Sequence, residues 1–80
     1  MNRDRLRWAC RRGMLELDLL LGRFLEHGLD ALDEAGQAAF QRLLDYPDTT
    51  LHALLMGDMQ SADRELSHVI EAIRRARSAG

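Results

Sequence analysis

Six consecutive residues, Arg11-Arg12-Gly13-Met14-Leu15-Glu16, carry the densest chemistry in this 80-residue chain. Two guanidinium forks stand beside a glycine, a carboxylate follows four residues after Arg12, and Trp8 and Asp18 flank the group. Such forks take carboxylates or phosphates in two-point contacts. A glycine lets another backbone approach closely, and a helix opening there presents free N–H groups in its first turn. An aromatic with an arginine is the usual make-up of an interface hot spot. In chemical terms these residues describe a docking surface. On composition alone a plainer reading fits them better. Arg12 and Glu16 would form an ordinary helix-surface ion pair, worth about 0.2–0.5 kcal/mol, Gly13 would permit a turn between two helices, and Trp8 would anchor the core there.

Elsewhere the chain offers little chemistry. It has neither a GxGxxG fingerprint nor a GxxxxGK[ST] phosphate loop. His27, His52 and His68 fall on three different helical segments without a shared ligand spacing, and a metal site needs clustered ligands, so no metal is expected. His27 lies near a helix end, where a cation is favoured, and His52 and His68 suit solvated or boundary faces. Cys10 is the one cysteine, so no internal disulfide can form, and its place on an inner face suits a plain hydrophobe rather than a nucleophile. A chain this short buries only about 60–65% of its unfolded surface. Its core is too thin to enclose a large cofactor together with a substrate. The expectation is one domain over residues 1–80, no enzyme activity of its own and no stably bound cofactor.

Charge is distributed unevenly around a net of −2. Residues 1–13 hold five arginines against Asp4, the middle is acidic, and the end carries Arg64, Arg74, Arg75 and Arg77. Every basic residue is arginine, which reads either as coding bias or as a surface prepared for bidentate contacts. The overall acidity and the lack of an evident recognition helix argue against nucleic acid as a partner. No run of about 18 apolar residues could span a membrane, and no apolar signal core follows Met1 to Arg7. A soluble, cytoplasmic monomer is expected.

The elements that must position the Arg11–Glu16 segment read as helices throughout. The composition, 46% hydrophobic with one proline and four aromatics, favours helices over a sheet sandwich. Spacing predicts a short first helix over Arg3 to Cys10, with Leu6 and Cys10 on one face. The second runs from Gly13 to His27, its apolar face formed by Met14, Leu17, Leu20, Leu21, Phe24 and Leu25 and widened by Leu15 and Leu19. Gly28 in the left-handed conformation would stop it. The third starts after Asp33 as its cap, weakened by Gly36, and carries Phe40, Leu43 and Leu44. Tyr46-Pro47-Asp48 breaks it, and the fourth follows with Leu51, Leu54 and Leu55, ending at Gly57. The fifth opens near Ser61 and runs through Leu66, Val69, Ile70 and Ile73, with Arg74, Arg75 and Arg77 complementing its dipole. The fold class is all-α, a compact bundle of five short helices.

Taken with its flanks, Trp8-Ala9-Cys10-Arg11-Arg12-Gly13-Met14-x-Glu16-Leu17-Asp18 resembles the signature of the FAD assembly factor SdhE family, whose RGxxE element falls on Arg12 to Glu16. Phe24-Leu25-Glu26-His27 is similar to that family's FFEH-like stretch, Phe40-Gln41-Arg42-Leu43-Leu44 to its third helix, and Asp45-Tyr46-Pro47-Asp48 to the acidic turn after it. The resemblance implies a five-helix accessory protein. It would bind the flavoprotein subunit of succinate dehydrogenase, and often of fumarate reductase, and promote covalent attachment of FAD to a histidine there. The resemblance makes Gly13 and Glu16 the functional pair, with Arg12 in the same motif and Trp8, Arg11 and Asp18 flanking it. FAD is then the client's cofactor. The chain departs from the pattern at Leu51-His52-Ala53-Leu54-Leu55, where relatives carry an FxWL-like stretch, and at Gly36, where an acidic residue is usual. A rival reading makes the chain an FAD carrier, with Arg11, Arg12 and the helix N-terminus holding the pyrophosphate.

Overall fold

The computed structural model describes residues 3–78, with side-chain surroundings for residues 3–76. Five α-helices follow in order: α1 (Arg3–Ala9), α2 (Leu15–His27), α3 (Glu34–Leu44), α4 (Asp48–Met56) and α5 (Arg64–Ser78). No strand occurs among the described residues, in agreement with the all-α bundle expected. The Arg77 side chain, assigned from the sequence to the dipole-complementing end of α5, lies outside the described residues.

The core forms because each helix turns one apolar stripe inward. Leu17, Leu20, Leu21, Phe24 and Leu25 of α2 are buried, as are Ala39, Phe40, Leu43 and Leu44 of α3 and Leu66, Val69, Ile70, Ile73 and Ala76 of α5. Helix α5 packs against both α2 and α3. The Phe24 and Phe40 rings meet across the centre at 5.0 Å with a 52° tilt, within the favoured range for aromatic pairs. No polar side chain is buried among the described residues, so the core rests on apolar burial alone.

Leu15 and Leu19 are the exception to the expected apolar face of α2, at 74% and 57% exposed. At 100° per residue both lie about 160° around the helix from Leu17. No single face can hold all the leucines of α2, and the larger stripe centred on Leu17, Leu21 and Phe24 takes the core. The helix also begins later than expected, at Leu15, which leaves Gly13 in the preceding turn.

Gly28 ends α2 without the left-handed conformation expected of it, at φ −125°. It is glycine for a different reason: a Cβ there would lie 2.6 Å from the Phe24 ring. The chain passes directly into a 3-10 turn over Leu29–Ala31, which buries Leu29 and has no apolar period long enough to show in the sequence. Asp33 caps α3 as expected, accepting from the Gly36 amide at 2.8 Å. Gly36 is buried, and a Cβ on it would stand 3.1 Å from Leu32 Cβ. Helix α5 starts three residues after Ser61, because Asp63 is its cap and accepts from the Glu65 and Leu66 amides at 2.9 and 3.2 Å. Ser61 instead accepts from the Asp63 amide through its hydroxyl.

Candidate docking surface

The turn between α1 and α2 is built by two backbone closures and one arginine. Cys10 and Arg11 donate their amides back to the Leu6 and Trp8 carbonyls at 3.0 Å each, ending α1. Gly13 then takes φ +81°, a backbone region costly for any residue with a Cβ. A Cβ built on Gly13 would meet nothing within 4 Å, so this turn presents bare backbone to solvent. Met14 packs back onto the core and carries the chain into α2.

Arg12 folds inward, and its side chain is 15% exposed. Its guanidinium donates to Asp48 Oδ1 at 2.7 Å, to the carbonyls of Ala9 and Leu44 at 3.0 and 2.8 Å, and to the Tyr46 carbonyl at 2.7 Å. Helix ends leave carbonyls without intrahelical partners. Here the carbonyls of the last residues of α1 and α3 and of the turn after α3 all find theirs on one side chain, which also pairs with the carboxylate of the first residue of α4. The Arg12 amide donates to Asp18 Oδ1 at 2.7 Å, so Asp18 fastens the same turn from α2. The ordinary Arg12–Glu16 ion pair therefore does not form.

Glu16 faces the other way. Its side chain is 54% exposed and its Oε2 lies 3.3 Å from Nε2 of His52 on α4. Trp8 is 73% exposed, which overturns a core-anchor role, and the Arg11 guanidinium lies 5.6 Å from its ring centroid in a cation–π arrangement. Beyond Glu16, an open groove of about 300 Å³ runs along α2 beside Leu19, Leu20 and Arg23. Beneath the turn Cys10 is buried, and burial pushes its thiol up to about 11 against the lowering effect of Arg12. That makes it a hydrophobe rather than a nucleophile.

The six residues singled out from the sequence thus divide into two groups. Trp8, Arg11, Gly13 and Glu16 reach solvent, whereas Arg12 and Asp18 hold the turn that displays them. The sequence reading missed Asp48 and His52, which lie 36 residues from Arg12 and Glu16 respectively and share no local pattern with them. It also placed Leu15 and Leu19 inside, where the structure exposes them. No group of three or more His, Cys, Asp or Glu able to hold a metal occurs among the described residues. No described helix is long and apolar enough to cross a membrane.

An exposed, largely prearranged surface of this kind can bind a partner by backbone approach, a stacked aromatic and paired charges. Comparison with known proteins identifies the family. Residues 4–77 match the family model described as flavinator of succinate dehydrogenase. The FAD assembly factor SdhE of Idiomarina loihiensis is 46% identical over 69 residues, covering 86% of this chain and 77% of the relative. The FAD assembly factor SdhE of Legionella pneumophila (strain Paris) is 46% identical over 72 residues, 90% of each chain. That of Coxiella burnetii is 40% identical over 74 residues, covering 92% of this chain and 90% of the relative. With nearly its whole length matched, the chain belongs to the family of FAD assembly factors, the flavinators of succinate dehydrogenase.

Proposed function

We propose that this protein binds the flavoprotein subunit of succinate dehydrogenase through the surface around Gly13 and Glu16 and so promotes covalent attachment of FAD to it. The observation that carries the reading is the Gly13 turn: bare backbone at φ +81°, open space beyond it, and an inward-folded, partly buried arginine holding it in place. Gly13 admits the partner's backbone, Trp8 and Arg11 supply a stacked apolar and cationic plate, and Glu16 pairs with a donor on the partner. Arg12 and Asp18 contribute by keeping this geometry fixed in the free protein, which lowers the ordering cost of binding. Docking of this kind favours one arrangement of the client, in which the accepting histidine meets the flavin in a reactive geometry.

Docking accounts for the site better than catalysis. Glu16 is open to water, with no enclosed site in which to hold a reacting atom. The same surface extends the proposal to the fumarate reductase flavoprotein as a second client, and both encounters belong in the cytoplasm. FAD stays with the client.

Co-expression of the flavoprotein with Gly13→Arg or Glu16→Ala tests this, read as flavin fluorescence that stays with the denatured protein. Both variants are expected to lower attached flavin at least about tenfold, a loss of roughly 1.4 kcal/mol or more of interaction. Attachment at the wild-type level with both would sink the proposal. Calorimetric titration of the isolated protein with FAD separates it from the carrier reading, since docking requires no binding there.

A further inference from the structure

The face of α2 turned from the core has a pattern that the client surface does not absorb. Leu15 and Leu19 are exposed one helical turn apart, and Gly22 follows on the same face with open space where a Cβ would stand. Leu15, Leu19, Gly22 and Glu26 are thus spaced by four, three and four residues, the step that carries a straight seam between two packed helices. Glu16 and Arg23 border one side of that seam, seven residues apart and on opposite sides of Leu19.

This arrangement complements itself only when one copy is reversed. In an isologous contact each residue i meets j while j meets i, so the charges along the seam must be antisymmetric about the axis. A two-fold axis beside Leu19 does this. It sets Leu19 against Leu19 of the second copy and Leu15 toward Gly22, whose missing side chain leaves room for it. Glu16 then lies within a residue of Arg23 of the second copy, twice over. Glu26 falls toward the turn that carries Arg11. A parallel pairing would put this flank of the two copies on opposite sides of the seam, so that Glu16 and Arg23 would find no complement across it.

We propose that two copies of this chain associate through α2, antiparallel about an axis at Leu19, where the sequence leads us to expect a monomer. Helix α2 has 13 residues and is about 20 Å long. A contact confined to it falls short of the roughly 800 Å² per partner of a standard interface. The dimer is therefore concentration-dependent. It also covers Glu16, so that the dimer and the docked client exclude each other.

Sedimentation equilibrium of the full chain, from low micromolar to about 1 mM, tests this. The mass is expected to rise toward twice the 9.1 kDa of one chain. Leu19→Asp, Arg23→Glu and Glu16→Arg, all at exposed positions, should each weaken association at least about tenfold, with helical circular dichroism confirming that each variant folds. Mixing Arg23→Glu with Glu16→Arg should restore dimers, because the mixed pair opposes unlike charges at both of its contacts, whereas either variant alone opposes like charges at both. A wild-type mass that stays at one chain throughout overturns the proposal. So does association that all three variants leave unchanged, or failure of the mixture to recover. Variants that lose the flavoprotein while the wild type remains monomeric assign this face to the client instead, and overturn the dimer without touching the proposed function.

Discussion

Nε of Arg12 lies 2.7 Å from Oδ1 of Asp48, and this pair joins the turn before α2 to the first turn of α4. Arg12 belongs to the motif that marks the family, yet its side chain works inside the protein. It serves as a shared cap for helix ends that would otherwise leave carbonyls unpaired.

Arg12→Ala should therefore destabilise the fold by about 2–4 kcal/mol, since it strands a half-buried carboxylate and several carbonyls. Arg12→Lys should recover only a minority of this, because one ammonium cannot span acceptors arranged for a planar fork. Arg11→Ala, which loses an exposed cation–π contact, should cost no more than about 0.5–1 kcal/mol. Urea unfolding of the three variants measures the contrast. Equal losses at Arg11 and Arg12 would contradict it.

Two glycines of the α2 segment should respond in opposite directions to alanine. Gly28→Ala drives a methyl into the Phe24 ring and should cost about 1–3 kcal/mol, as overpacked cores do. Gly22→Ala meets open space inside a helix and should stabilise the protein by about 0.5–1 kcal/mol. Thermal unfolding of both variants reads the sign directly.

Cys10 should be protected from thiol reagents by burial and by its raised pKa of about 11, against 9.0 for a free thiol. Two units reduce the thiolate about a hundredfold near pH 8, so labelling should be at least that much slower in the native protein than in urea. The raised value also sets a sign for stability. The contribution is complete below pH 9.0 and is lost as pH rises from there through about 11, where the unfolded chain ionises first. Unfolding of Cys10→Ala should lack this alkaline decline.

Asp63 titrates with the opposite sense. The Leu66 amide foremost, then the Glu65 amide and Arg42, favour its ionised form and hold its carboxyl below the ordinary 3.8. A depressed value contributes stability above the unfolded pKa and loses it as pH falls through the folded one. The stability difference between wild type and Asp63→Asn should hold steady above about pH 5 and shrink below 3.8. Urea midpoints across that range check it, and a gap that widens toward acid would refute it.

Helix number, order and most of the core are legible in the chain because burial selects residues spaced by three and four, and that period is local. Leu17, Leu20, Leu21, Phe24 and Leu25 on α2 illustrate it, as does the Asp33 cap of α3. The Arg12-Gly13-x-x-Glu16 motif is equally local, and with its flanks it identifies the family before any coordinate is known. Errors arose where two local patterns compete. The leucines of α2 point all round the helix, and only contact with α3 and α5 decides which stripe is inside. The 3-10 turn after Gly28 is too short to show a period at all.

The division of labour within the motif is set by packing between distant parts of the chain. In the sequence, Arg11 and Arg12 are equivalent neighbours, and Glu16 is the natural partner of Arg12 on a helix surface. In the fold, α2 begins after Gly13, so Arg12 and Glu16 no longer share a helical face. Arg12 finds Asp48 and Glu16 finds His52, each 36 residues away. No local spacing encodes such pairs, because they depend on where α4 comes to rest against the turn.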